Sequence, residues 1–181
     1  PIDGTTSFIS GVPLYGTLVG IVYQQRSVAG VIFVPALDEC VYAAEGLGAW
    51  YSHGDSAPQA ARVSSRDALA DGLLVTTQFD LFDRRDAGQA FRELQRYARD
   101  TRTWGDCYGY LLVATGRAEV MIDPTMSVWD AAALQPILEE AGGTFTDWRG
   151  NRTIYHGEGI GTNRRVLEEV LSITRQYGES S

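Results

Sequence analysis

The chain has 181 residues, 44% of them hydrophobic and 21% charged, with a formal net charge of −8. That length supports one substantial core; no apolar run approaches the roughly 18 residues of a membrane span, and no basic leader precedes an apolar stretch. All fifteen cations are arginines: the acidity argues against non-specific nucleic-acid binding, and the lack of lysine excludes Walker-type phosphate loops, Schiff-base enzymes and lysine-assisted aspartyl-phosphate hydrolysis.

The chain opens on Pro1-Ile2-Asp3-Gly4-Thr5-Thr6. Gly4 lets backbone approach a ligand closely, and the hydroxyls of Thr5 and Thr6 suit a water or a phosphate oxygen, so this turn is a candidate anion cradle. Leu14 to Val22, Val28 to Pro35, Cys40 to Ala44 and Gly48 to Tyr51 are rich in β-branched and aromatic residues and predict an antiparallel meander. Gly54 to Arg62 reads as a polar loop or edge, and Leu73 to Thr77 as a short buried strand. Ala90, Phe91, Leu94 and Tyr97 recur at helical spacing within Ala87 to Arg99.

Periodicity alone leaves Gly109 to Ala114 open between helix and strand. Ala118 to Ile122 reads as strand, and Trp129 to Glu140 as a helix ended by Gly142-Gly143. Pro136 falls inside that helix and is expected to kink it or shift its start. Gly161-Thr162-Asn163 offers an N-cap for a last helix, Arg164 to Tyr177, followed by a loose tail, Gly178 to Ser181. Mixed helices and strands predict a layered α/β or α+β fold in one domain, residues 1–181.

Cys40 and Cys107 belong to no C-x-x-C pair, which suggests a reducing compartment or core packing. Neither has an arginine six residues on, so a cysteine-phosphate mechanism has no support. His53 and His156 read as isolated surface histidines, which disfavours a zinc site or a histidine triad. Trp104, Trp129 and Trp148 read as packing residues, Arg102 as a structural ion-pair partner, and Asp83-Arg84-Arg85-Asp86 as a solvated loop. Gly157-Glu158-Gly159-Ile160-Gly161 lacks the full dinucleotide-loop spacing and reads as a tight turn.

Asp130 heads the segment Asp130-Ala131-Ala132-Ala133-Leu134, whose strong helix formers place its carboxylate in or just before a first turn. Alone, such a residue complements a helix dipole, Asp3-Gly4 alone is an ordinary turn, and Asp123-Pro124 reads equally as a strand-ending turn or a substrate contact. Brought together, Asp3 and Asp130 supply hard oxygen ligands of the kind Mg²⁺ prefers. A pair of such ions can generate a hydroxide and stabilise a leaving alkoxide.

The ordered motifs Pro1-Ile2-Asp3-Gly4-Thr5, Gly105-Asp106-Cys107-Tyr108-Gly109-Tyr110, Met121-Ile122-Asp123-Pro124 and Trp129-Asp130-Ala131-Ala132 resemble the inositol monophosphatase family along essentially the whole chain. The Gly-Asp-Cys-Tyr-Gly-Tyr variant looks most like its histidinol-phosphate phosphatase branch. The resemblance implies an αβαβα sugar-phosphatase fold, lacking here its N-terminal portion, and Mg²⁺-dependent hydrolysis of a small phosphomonoester by a cytoplasmic homodimer with no membrane or nucleic-acid partner. It further implies that Asp3, the Ile2 carbonyl and Asp130 ligate metal, that Gly4 and Thr5 meet the phosphate, and that Thr5 orients the attacking water. Asp123, Asp106 and Cys107 match positions around the alcohol, and acidic side chains there suit the ammonium of histidinol. Inositol phosphate or a related sugar or nucleotide phosphate is the alternative substrate, and a noncatalytic phosphate-metabolite binder the alternative class.

The family pattern also has an aspartate directly before the proline and an upstream Glu-Glu segment, neither of which this chain contains. The expectation is therefore an N-terminally truncated fragment, inactive or nearly so by itself, with Asp3 poorly held at a frayed terminus.

Overall fold

The computed structural model describes residues 2–177; the tail from Gly178 to Ser181 lies outside the described residues. A short helix, α1 (Thr5–Ile9), follows the opening turn. The β-branched runs then form the meander their spacing predicts. β1 (Thr17–Tyr23), β2 (Arg26–Val34), β3 (Glu39–Ala44), β4 (Ala49–His53) and the edge strand β5 (Gln59–Ala60) pair antiparallel in sequential order.

The rest of the chain alternates: β6 (Leu73–Thr76), α2 (Asp80–Arg84), α3 (Gly88–Tyr97), β7 (Asp100–Arg102), α4 (Cys107–Ala114), β8 (Val120–Asp123), α5 (Val128–Glu140), β9 (Thr144–Thr146), β10 (Gly159–Thr162) and α6 (Leu167–Thr174). A second sheet has the order β7-β6-β8-β10-β9, with β6 parallel to both β7 and β8. The period-2 alternation of strands divides its apolar residues between two cores. Val75 and Met121 join the first sheet, α4 and α5, whereas Leu74, Val120 and Ile122 face Phe82, Phe91, Leu94 and Val170 from α2, α3 and α6.

The layers therefore run sheet, helix, sheet, helix, which is four of the five alternating layers of an αβαβα fold among the described residues. The outer face of the first sheet carries Val19, Ile21 and Tyr23, exposed at 50, 56 and 65%. The segment left open between helix and strand is the helix α4, buried nearly all round.

Pro136 does not end or delay α5, which starts one residue before the predicted Trp129 and runs on to Glu140. A proline has no N–H for the carbonyl four residues back. That carbonyl, on Ala132, instead accepts a hydrogen bond from the buried Ser27 hydroxyl of β2. Helix and sheet must approach closely for this. Gly20 and Gly30 are cross-strand partners beneath the helix; a Cβ on Gly30 would lie 2.0 Å from the Ala133 carbonyl oxygen, and one on Gly20 2.7 Å from Ala132. The last helix begins at Leu167, three residues after the predicted Arg164. Asn163 still caps the preceding turn, its side-chain oxygen accepting from the N–H groups of Arg165 and Val166.

Candidate active site

The C-terminal ends of the parallel strands β6 and β8 open toward the opening turn and the N-termini of α4 and α5. Between them lies a cavity of about 520 Å³, lined by Asp3, Thr5, Asp106, Cys107, Asp123 and Asp130 among others. Open α/β sheets place ligand crevices at this end of their strands.

Asp3 is not frayed. Its N–H donates to the Gly16 carbonyl at 2.9 Å and its carbonyl accepts from Gly16 N–H at 3.0 Å, a two-bond bridge that does the work expected of a preceding strand. Its carboxylate accepts from the Cys107 N–H at 2.7 Å, at the start of α4, where the helix dipole favours negative charge. Burial nonetheless pushes the Asp3 carboxyl up to about 6, opposed by the Cys107 hydrogen bond and reinforced by the nearby Asp106 and Asp130 carboxylates.

Gly4 turns the chain with φ +76°, and a Cβ there would meet the Leu14 carbonyl at 2.9 Å and Asp106 Oδ2 at 3.2 Å. Glycine is required for both the turn and the close approach. The Thr5 hydroxyl donates to the Ile2 carbonyl at 3.2 Å, so the expected ligand carbonyl and the expected water-orienting hydroxyl are neighbours. Asp130 sits in the first turn of α5; burial raises its pKa and Asp106 adds to that, while a backbone hydrogen bond at Ser127 opposes it.

Asp123 ends β8. One oxygen accepts from the Tyr110 hydroxyl at 2.8 Å, and the Thr77 side chain also acts on this buried carboxyl, lowering its pKa. Complete burial pushes this carboxyl up to about 8, opposed by the Tyr110 hydrogen bond and strengthened by Asp106. Burial also raises Asp106 and, in Cys107, holds the thiol well above its usual range.

The fold thus brings Asp3, Gly4, Thr5, Asp106, Cys107, Asp123 and Asp130 around one space. Among the described residues none of the four aspartates is ion-paired with an arginine. Oxygen donors of this kind fit the chemistry of a hard divalent ion, for which Asp3, Asp130 and the Ile2 carbonyl are the expected ligands. No group of three or more His, Cys, Asp or Glu side chains among the described residues converges as a ready metal cage.

Several sequence expectations are corrected. Trp148 is fully buried, but Trp104 and Trp129 are exposed at 41 and 68% and pack little. His156 is not isolated: its Nδ1 lies 2.7 Å from Asp147, a carboxylate that also accepts from Arg149 and Asn151 N–H groups and so knots the turn after β9. Arg85 is no solvated loop residue. It is buried in an ion pair with Glu158 and lies over the Trp148 ring, 4.4 Å from its centroid. Thr77, Phe79 and Thr125 also line the cavity and were not singled out from sequence. Their one sequence signal is position, within three residues after the ends of β6 and β8.

The family description "Inositol monophosphatase family" matches residues 1–179. A histidinol-phosphatase from Chlorobaculum parvum is 42% identical over 179 residues, covering 99% of this chain and 67% of the relative. One from Streptomyces coelicolor is 31% identical over 97% of this chain and 68% of its own length. The solved inositol monophosphatase of Zymomonas mobilis superposes with a TM-score of 0.87 at 32% identity, covering 96% of this chain and 68% of that one. The chain spans about two thirds of the length of these relatives. No described helix is long and apolar enough to cross a membrane.

Proposed function

Because the chain belongs to the inositol monophosphatase family, a family of phosphomonoester hydrolases, we propose that it hydrolyses histidinol phosphate to histidinol and phosphate with Mg²⁺ as cofactor. The observation that carries this reading is a set of four carboxylates around one cavity, none of them ion-paired with an arginine among the described residues. Asp3 and Asp130 suit the cations that accompany a phosphate, whereas Asp106 and Asp123 remain to hold a positive group on the alcohol. A neutral polyol needs only hydrogen bonds there, and burying extra carboxylates against it is unfavourable. The histidinol-phosphatase names of the relatives point the same way.

Ions held by Asp3, Asp130 and the Ile2 carbonyl would supply Lewis-acid activation of water and neutralisation of the phosphate's charge. The protein supplies position. Asp3 is fixed by the Gly16 bridge and the Cys107 N–H, and the Thr5 hydroxyl, beside the Ile2 carbonyl, orients the water toward phosphorus. Asp123, protonated at neutral pH before substrate binds, ionises when the substrate's ammonium arrives, because an adjacent opposite charge favours the carboxylate. Water adds to phosphorus, the P–O bond to the alcohol breaks, and the alkoxide takes up a proton. The same reading places the enzyme in histidine biosynthesis, in the cytoplasm and as a homodimer.

The test is phosphate release from histidinol phosphate and from inositol 1-phosphate, with Mg²⁺ and with a chelator. It is run on this chain and on a fusion supplying the aspartate and Glu-Glu segment of the family pattern. The expected result is chelator-sensitive release, faster from histidinol phosphate, and greater in the fusion. Preference for inositol phosphate overturns the substrate assignment, and release insensitive to chelation overturns the mechanism.

A further inference from the structure

Behind Asp123, on the side away from the cavity, stands a buried group that the catalytic reading does not use. The Trp148 indole N–H donates to the Asp123 carbonyl at 3.0 Å, and the Arg85 guanidinium donates to the next carbonyl, that of Pro124. Glu158 joins the two donors: one of its oxygens pairs with Arg85 and the other accepts the Trp148 backbone N–H at 2.8 Å. The ion-pair side chains are exposed at only 9 and 1%. A further hydrogen bond, from the Thr174 hydroxyl to the Trp148 carbonyl at 2.9 Å, fastens the backbone at Trp148 to α6.

A buried ion pair gives up hydration on both partners, and apolar residues of the same size often stabilise a core as well or better. Stability alone is therefore a poor account of an arginine in this place. One guanidinium nitrogen donates to the Pro124 carbonyl beside the indole N–H on the Asp123 carbonyl, while the other donates to the Tyr177 carbonyl at 3.1 Å and pairs with Glu158. Asp123 leaves the strand β8 at this point, and Pro124 has no N–H with which to tie the turn. The backbone is held from behind by Trp148 and Arg85, and the carboxylate from the front by Tyr110.

We propose that Arg85 and Trp148 are positioning residues that aim the Asp123 carboxylate into the cavity and thereby set the preference for a cationic alcohol over a neutral one. The preference rests on the function proposed above; the aiming of Asp123 does not. Trp148→Phe and Arg85→Lys remove donors while keeping ring packing in one case and charge in the other.

In the catalytically competent protein, each variant is expected to raise KM for histidinol phosphate roughly tenfold, with kcat and all constants for p-nitrophenyl phosphate within about twofold. In an Asp123→Asn background the same substitutions should add nothing further. Equal losses on both esters, or full additivity with Asp123→Asn, would overturn the proposal by making the cluster merely structural. A crystal structure of Trp148→Phe decides the aiming without any substrate. Loss of the Tyr110–Asp123 hydrogen bond upholds it, and an unmoved carboxylate overturns it. If Asp123→Asn fails to distinguish the two esters while the carboxylate does move in Trp148→Phe, the substrate assignment falls and the positioning stands.

Discussion

Asp3 and Asp123 show how burial converts ordinary carboxyls into groups that wait for a cation. Asp3 loses its proton near pH 6, so Mg²⁺ competes with that proton below this value and not above it. Affinity for Mg²⁺, measured by calorimetry, should therefore rise between pH 5 and pH 7 and level off beyond. In Asp3→Asn the rise should vanish with most of the binding. Asp123 carries the larger effect on folding. Its pKa of about 8 in the fold, against 3.8 for a free side chain, means that the native state holds the proton more tightly than the unfolded chain. The resulting stability is fully present below the unfolded value and is lost as pH rises through the folded one. Asp123→Asn removes this dependence. Its melting temperature should climb relative to wild type from pH 4 to pH 8 by more than about 3 °C in metal-free buffer, at a few degrees per kcal/mol for a chain of this size. A constant difference across that range would show that the carboxyl is not buried as described.

The contact of α5 with β1 and β2 is where local rules and tertiary packing meet. Pro136 silences the donor for the Ala132 carbonyl, and the Ser27 hydroxyl replaces it. Ser27→Ala should cost about 1–3 kcal/mol in urea unfolding, the penalty of a buried unpaired carbonyl. In a Pro136→Ala background, where the helix supplies its own N–H, that cost should shrink markedly. Gly30→Ala should be more severe than either, exceeding about 3 kcal/mol, because its Cβ would fall 2.0 Å from a backbone oxygen that cannot yield. The helix itself was legible from Trp129 to Glu140, but its tolerance of Pro136 was not, since the compensating hydroxyl comes from a residue 105 positions away. The short strands β7, β9 and β10 and the one-turn helices α1 and α2 escaped notice for a related reason. Three to five residues give too little periodicity to register, and these segments are ordered by neighbours rather than by propensity.

At the scale of the molecule, what was legible is the set of residues that chemistry requires. Asp3, Thr5, Asp106, Cys107, Asp123 and Asp130 could be read off short motifs, and folding brings them to one cavity, with Gly4 turning the chain beside it. What could not be read is the scaffolding behind them: Arg85 looked like part of a solvated loop because its acidic partner Glu158 lies far along the chain, and His156 looked isolated because its contact with Asp147, nine residues earlier, is made only by the turn between them. The bridge from Asp3 to Gly16 was hidden in the same way, as a pairing of backbone atoms that leaves no side-chain signature.

The chain carries a net charge of −8 and concentrates four unpaired aspartates at one opening, so a divalent ion should stabilise the whole fold by mass action. Thermal unfolding should shift upward with Mg²⁺ at constant ionic strength, and the double variant Asp3→Asn/Asp130→Asn should show no such shift. Calorimetric titration of Mg²⁺ into the wild-type chain, Asp3→Asn and Asp130→Asn examines the central claim directly, that residues distant in sequence form one cation site. Saturable binding to the wild type, weakened by roughly tenfold or more in each single variant, is the expected result. Binding that is unchanged in both variants, or absent from the wild type, would contradict it.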